Sequence, residues 1–441
     1  MAQIWFLNLR CKVKYMEAYG KILLIAMPAF LILVLIEKWY GWMKGKDTVR
    51  QNDMISSLSS GVTNVTKDVL GIGLVIISYQ WMVDKIALVH FQATGVVYVI
   101  AFFAIDFAGY WVHRLQHEYN LFWNAHIIHH SSEEFNLACA LRQTISTLIK
   151  VAAIFLLPAA LLGVPTQVIA LVAPLHLFAQ FWYHTQHIGR LGFLEKIIVT
   201  PSHHRVHHAI NPEYLDKNYS QIFIFWDKLF GTYQEEMPHV PPVYGVTRPV
   251  QTWNPIKINF MHVWLLIQDA WHTNSLKDKL RIWFMPLGWR PADVVEKYPV
   301  YKINDVYNYE KYNPKVSSAV IVWSWVQMLF MLLMVSYLFG NIAKIGSPGI
   351  FWYGAFIFLM VYAYTELLDK NRFAYLWELA KNSLGAYLIW KNGGWFGANS
   401  VFLFADTLVI FYLAISSLIV IYFCLNLSPE PMRQTSVSSA R

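Results

Sequence analysis

Charge and cysteine are both scarce in this chain, and each scarcity narrows its class. Only 14% of the 441 residues are charged, against 56% hydrophobic and 16% aromatic, and the mean hydropathy is +0.37. Soluble domains carry about 25% charged residues, so the deficit marks a polytopic membrane protein. The three cysteines, Cys11, Cys139 and Cys424, form no CxxC pair, which excludes a disulfide framework and a zinc ribbon. The net charge of +8 is dispersed rather than gathered into a stripe. It fits loops facing an anionic lipid surface and leaves no nucleic-acid footprint. No small-residue cleavage site follows a short apolar core near the start, so no cleaved signal peptide is expected. Carboxylates are also few where they would matter most: Glu118, Glu133 and Glu134 are those near the clustered histidines.

Long apolar runs are what replaces charge. Residues 22–36, 69–83, 95–112, 144–162, 166–182, 318–339, 350–367 and 401–425 read as helices of membrane type, and 373–390 as a weaker one interrupted by Glu378, Lys381 and Asn382. The short GVP link between 144–162 and 166–182 predicts an antiparallel hairpin. Residues 44–67 read as a polar loop or surface-lying helix. The expected fold is all-α, a polytopic membrane helix bundle with a cytosol-facing, histidine-rich di-metal site. The expected division is an N-terminal segment with the first membrane helix (1–67), a catalytic core (68–235), a polar cytosolic cap (236–316), C-terminal membrane helices (317–427) and a disordered tail (428–441).

Histidine is concentrated. In the stretch 106–130, His113 and His117 are four apart, and His126, His129 and His130 form HxxHH. A second HxxHH, His204, His207 and His208, stands in SHHRVHH. Residues four apart on a helix share a face, so their rings can converge. Imidazole suits iron, zinc, copper and nickel. Eight rings exceed the four ligands of a tetrahedral site, so two ions are expected, with His184 as a ninth ligand. His176 reads as an interior packing residue, His187 is left open, and His203 breaks the HxxHH register. Asp106 shares a helix face with His113, and an acid in a membrane span usually has a purpose. It would serve either a ligating histidine or Arg114. SSEEFN predicts a loop entering a helix behind a serine cap, and Thr200-Pro201-Ser202 a helix start. NYSQIFIFWDKLFGTY, where Trp226, Asp227 and Lys228 interrupt an apolar face, predicts an amphipathic surface helix. Arg114, Arg142, Arg190, Lys196, Arg205, Lys217 and Lys228 accompany the histidines, which by the positive-inside rule orients them to the cytosol.

With these boxes the chain resembles the fatty acid hydroxylase superfamily of membrane di-iron enzymes, whose signature is HxxxH, HxxHH, HxxHH. The likeness runs from about residue 106 to 233 and includes WDKLFGT. It is strongest to members that cleave O-alkyl glycerol ethers, through YWVHRLQHE, AHIIHHSSEEFNLACALRQ, QFWYHT and TPSHHRVHHAINPEYLDKNY. The resemblance implies a non-haem di-iron monooxygenase using O2 and tetrahydrobiopterin, which hydroxylates the ether-linked carbon of an alkylglycerol. The hemiacetal then falls apart to an aldehyde and glycerol or its lipid derivative. It implies two iron ions on His113, His117, His126, His129, His130, His184, His204, His207 and His208, and places Glu118, Glu133 and Asn136 as catalytic residues near pterin or ligands. Gln180 occupies a position that some members give to histidine. The implied residence is the endoplasmic reticulum of a eukaryote or the inner membrane of a bacterium. Three other readings stay open: a fatty acid, sphingolipid or sterol hydroxylase or desaturase fed by a cytochrome or ferredoxin partner, a zinc membrane hydrolase, and a metal transporter.

Overall fold

The computed structural model of the chain describes residues 2–75, 77–147, 149–150 and 152–427. The tail expected to be disordered, 428–441, lies outside the described residues. The architecture is helical. Its principal elements are α1 (Ala2–Met43), α2 (Gln51–Val69), α3 (Gly95–Glu118), α4 (Ile127–His130), α5 (Thr166–Phe178), α6 (Pro201–His207), α7 (Phe225–Phe230), α8 (Pro255–His272), α9 (Ser318–Gly340), α10 (Gly349–Leu368), α11 (Ala374–Asn392) and α12 (Ala405–Leu425). Among the described residues, paired strands are too short to form a layer, as with Leu74–Val75 against Ile149–Lys150.

Among the described residues five helices are long and apolar enough to cross a membrane: Met16–Met43, α3, α9, α10 and α12. Their outward apolar side chains, such as Ile25 and Leu418, stay exposed, as a lipid-facing surface requires. Three expected spans, 69–83, 144–162 and 166–182, do not form among the described residues, and the weaker one at 373–390 is the helix α11, which is not among the five. Over 69–83 the helix stops at Val69, because Gly71 and Gly73 adopt positive φ, and a short helix restarts at Tyr79 behind the Ser78 cap. Over 144–162 the hydroxyls of Thr144, Ser146 and Thr147 bond one another, a local alternative to helix. Beyond them the chain makes a 3-10 turn, Ala152–Leu156, and a single turn of helix, Leu157–Leu161. The second arm, α5, has 13 residues. At about 1.5 Å per residue it falls well short of the roughly 30 Å hydrocarbon core. In place of a hairpin of two spans there is a short pair packed on α3, around Val97, Ala101, Ala159, Val168 and Val172. Gly163 makes its turn at φ +60°, where a Cβ would run into the Val89 carbonyl.

The larger core joins α1, α2, α9, α10 and α12 through residues such as Val34, Met54, Ile55, Val335, Ile357 and Val409. The stretch 44–67, expected to be a loop or surface helix, is mostly the buried helix α2, wedged against α9 and α10. The region 236–316 holds α8, which packs on α4 and α2. There His262 Nε2 meets the Asn120 carbonyl at 3.0 Å, and Asn259 accepts from the Ile145 amide at 2.8 Å. The segment carrying the first triplet is thus clamped from outside the boxes.

Candidate metal centre

Each box places its rings by helix geometry. His113 and His117 end α3 one turn apart, with ring centroids 5.2 Å from one another. In the first triplet His126 stands at the N-cap of α4 and His130 in its last turn. In the second, α6 starts at Thr200 with Pro201 at its first turn, as the sequence predicts, and carries His204 one turn before His208. Successive residues on a helix point about 100° apart, so the second and third histidines of HxxHH cannot face the same ion.

The structure resolves the nine histidines into two pockets along that division. One gathers His113, His117, His126, His130 and His207; the other gathers His129, His184, His204 and His208. Within each, the candidate ligand atoms lie within 4.8 Å of one another. The sharing is reciprocal: the first triplet sends its outer members to the five-ring pocket and His129 to the four-ring pocket, and the second triplet does the reverse. The pockets adjoin, with the His130 and His208 rings stacked at 4.3 Å.

Backbone carbonyls fix the tautomers. His113 Nδ1 lies 2.8 Å from the Tyr219 oxygen, His207 Nδ1 3.0 Å from Lys217, His184 Nδ1 3.1 Å from Gln180 and His129 Nδ1 3.3 Å from Arg142. A carbonyl only accepts, so each Nδ1 carries the proton and each Nε2 presents a bare lone pair. The Nε2 atoms of His184 and His129 nevertheless face each other at 3.4 Å. Two lone pairs at that distance repel unless a cation lies between them. A proton is disfavoured there: burial pushes His129 well below the usual imidazole range and His184 down to about 4. Burial holds His126, His130, His204, His207 and His208 down as well. The Nε2 atoms of His117, His130 and His207 are buried with no hydrogen-bond partner. Such orphaned buried polar atoms are rare in folded proteins. The donor set therefore fits two metal cations, and all-imidazole ligation suits iron or zinc over magnesium or calcium.

Of the groups behind the carbonyls, Arg142 and Asp227 lie inside runs that carry the family resemblance, and Asp53 does not. Arg142 is buried with Asp53 of α2 at 2.7 Å, and it also donates to Ser57 and Ser131. This clamp holds the carbonyl that orients His129. Asp227 accepts from the Tyr219 and Ser220 amides and from the Thr232 hydroxyl, and so holds the carbonyl that orients His113. Asp227 is fully buried while Lys228 and Leu229 beside it are exposed, so α7 is a six-residue helix held inward by its acid and open on its other side.

The remaining candidates have other partners. Asp106 serves neither a clustered histidine nor Arg114. It accepts from the His176 ring at 2.8 Å, the Ile222 and Phe223 amides and the Trp226 indole. Arg114 pairs with Glu118 at 2.7 Å. His176 is interior, as expected. His187 meets Thr48 and the Tyr40 ring, and His203 caps at Thr200. The Gln180 side chain turns to His176, Gln221 and Tyr183. The turn after the first triplet is capped by Asn136, which accepts from the Ala138 and Cys139 amides and donates to the Thr48 carbonyl. Glu133 accepts from the Tyr309 hydroxyl and the Tyr312 amide.

Beside the four-ring pocket lies a cavity of about 370 Å³, lined by Thr48, Glu134, Gln186, Tyr244, Tyr309 and Lys311 among others. Tyr244 stacks on Phe135 at 5.1 Å, and Phe135 meets the His208 ring at 5.2 Å. Two aromatic rings thus separate the cavity from the histidines. Glu134 pairs there with Arg50 at 2.7 Å and Lys311 at 3.0 Å, and burial raises its carboxyl above the ordinary range.

Comparison with known proteins agrees with this geometry. Residues 98–232 match the family model described as fatty acid hydroxylase. The alkylglycerol monooxygenase of Homo sapiens is 34% identical over 359 residues, covering 80% of this chain and 79% of its own length. Those of Xenopus tropicalis and Danio rerio are 36% and 37% identical, covering 70% and 60% of this chain and 68% and 59% of their own. No solved structure matches the chain significantly.

Proposed function

The chain belongs to the family of the alkylglycerol monooxygenases, within the fatty acid hydroxylases, and from that premise we propose that it cleaves O-alkyl glycerol ethers at a di-iron centre held by the nine histidines. It is a multi-pass membrane monooxygenase acting on lipid. The observation that carries the metal assignment is the pair of bare Nε2 atoms on His184 and His129, 3.4 Å apart in a buried site. Two iron ions, when bound, supply the redox chemistry that activates O2 for insertion of one oxygen atom into a lipid C–H bond. The second oxygen leaves as water, with two electrons and two protons from a reductant. Hydroxylation of the ether-linked carbon yields a hemiacetal, which loses the glycerol oxygen to give a fatty aldehyde.

The protein's own groups position and exclude. Carbonyls of Tyr219, Lys217, Gln180 and Arg142 hold four rings in one tautomer, an orienting role that usually falls to carboxylates or carbonyls behind metal ligands. Tyr183, Phe135 and Trp123 pack against the rings and keep water out. Tetrahydrobiopterin, planar and rich in N–H donors, suits the 370 Å³ cavity, where the Tyr244 ring offers a face and Glu134 an acceptor. Glu133 and Asn136 act there from behind, through Tyr309 and the Thr48 carbonyl; Glu118 acts through Arg114. The basic residues around the boxes support a cytosolic orientation for the site.

Purified protein should contain two irons per chain. It should consume O2 with an alkylglycerol only when tetrahydrobiopterin is supplied, and release fatty aldehyde. Zinc in place of iron, or aldehyde formation without O2, would overturn the reading. Turnover with a reduced ferredoxin but not with the pterin would move the chain to the electron-transfer-fed hydroxylases.

A further inference from the structure

The stretch 236–316 reads from its sequence as a polar cap, yet its main helix, α8, is turned inside out. The buried side carries Asn259, His262 and Asp269 among Ile258, Leu265 and Leu266. Each of these polar groups is matched. Asn259 and His262 hold the segment of the first triplet, and Asp269 takes the Arg290 guanidinium at 2.6 and 2.7 Å. The outward side is the apolar one. Phe260, Trp264, Ile267 and Trp271 fall at i, i+4, i+7 and i+11, a single stripe of the helix. Their exposure runs from 39% at Phe260 to 80% at Trp271. The short helix Leu276–Arg281 and the turn after it continue the patch with exposed Leu276, Leu280 and Phe284. A contiguous apolar face of this kind marks contact with a membrane or with another protein.

Position decides between the two. α8 starts against the end of α10, one of the five long apolar helices. Glu366 accepts there from Asn254 at 2.9 Å and Lys257 at 2.7 Å, and Asp369 from the Trp253 amide at 2.7 Å. Five residues after Lys257, His262 meets the carbonyl of Asn120, just past the end of α3, another of the five. The far end of the patch is tied to the same place. The Leu287 amide donates to the Glu118 carbonyl at 2.8 Å, and Asn120 donates to the Ile282 and Trp289 carbonyls at 3.0 Å each. Five residues of helix cover about 8 Å, whereas the hydrocarbon core is roughly 30 Å thick. Both spans therefore end on the same face of the membrane, and α8 lies across that face at headgroup level. Tryptophan is favoured at this depth, and cations meet lipid phosphates there. Lys279 Nζ sits 3.2 Å from the Trp271 carbonyl, at the rim of the stripe, and Lys277 is exposed close by.

We propose that α8 and the chain through Phe284 form an in-plane membrane anchor, whose apolar stripe sinks into the headgroup–acyl boundary. The occupant of this face is lipid. The helix that clamps the first triplet is thereby seated in the bilayer itself. The proposal rests on the spans and not on the di-iron reading, so either can fail alone.

Full-length, metal-loaded protein in nanodiscs carries the test. A nitroxide is coupled to an azide-bearing residue placed at Trp264, Ile267, Trp271 or Leu280, one site per sample. Exposed Asn308 serves as the aqueous reference, and Leu333, in the middle of α9, as the lipid-core reference. Collision with O2, which concentrates in lipid, is compared with collision with a water-soluble nickel chelate. The four labels should lie about 5–10 Å into the headgroup–acyl boundary. Their oxygen-to-nickel ratio should stand several-fold above that at Asn308 and below that at Leu333. A ratio matching Asn308 would put the stripe in water, and one matching Leu333 would put α8 in the hydrocarbon core. Dipolar broadening that vanishes on dilution with unlabelled protein would give the face to a second copy of the chain. Any of these three results overturns the proposal, and four independent sites keep it testable if one labelled chain does not fold.

Discussion

The two histidine pockets use the same chemistry on unequal foundations. The five-ring pocket hangs two of its members on α3, a 24-residue helix, and its His113 carbonyl is held by Asp227 within a short local turn. The four-ring pocket takes His129 from a four-residue helix and His184 from the end of a 3-10 turn. Its orienting carbonyl at Arg142 depends on a carboxylate 89 positions away in the sequence. Both pockets draw on the short helices α4 and α6, but only the five-ring pocket is anchored on a long helix, and the four-ring pocket has one orienting carbonyl backed by a buried ion pair.

Removing a ring should break the centre in either pocket. His207→Ala and His129→Ala are each expected to abolish turnover and to leave one iron per chain instead of two, with the helical circular dichroism preserved. An active His129→Ala protein would end the di-iron assignment. Asp53→Asn sharpens the comparison. It leaves Arg142 buried without its counter-charge, a loss of about 3–5 kcal/mol, and metal analysis should show the four-ring pocket emptied first. If both irons are lost together, the clamp is merely structural. Asp227→Asn should cost about 1–3 kcal/mol through its amide and hydroxyl partners and weaken the five-ring pocket selectively, seen as a change in the spectrum of one iron only.

Acid should act next. His184 titrates near 4 in the folded chain and near 6.5 when unfolded. Between those values the unfolded chain binds the extra proton, so stability rises with pH in that window and is lost as pH falls through it. The metal-free protein should therefore melt at progressively lower temperature from pH 6.5 toward 4, and bound metal should flatten that slope. The smallest effect is expected for Glu118→Gln. Its pairing with Arg114 is partly solvent-exposed, and such pairs contribute at most about 1 kcal/mol, so iron content should stay unchanged.

The clustering of the histidines was legible because a histidine at a given helical offset has few other uses when repeated three times. All nine rings fall in the two pockets, and the 100° advance per residue explains how each triplet divides. The orienting groups were not legible, since a backbone carbonyl leaves no mark in sequence. Asp53 sits in a stretch whose serines suggest solvent, although those serines are buried against α9 and α10. Hydropathy alone overcounts spans at 69–83 and 144–162, where glycines with positive φ and hydroxyls bonding locally stop the helix, and at 166–182, where the helix ends after 13 residues. Asp106 is recognisable as purposeful, but its partners lie more than 60 residues away in sequence, beyond the reach of spacing arguments.

The reciprocal sharing of the two triplets bears on biosynthesis. Neither triplet can dock fully without furnishing a ring to both pockets, and the short pair packed on α3 separates them along the chain. A nascent polypeptide that has released only the first triplet from the ribosome therefore has no finished pocket to offer. Iron delivery is expected to come after translation of the second triplet, and a chain truncated before it should be a substrate for quality control rather than a half-loaded enzyme.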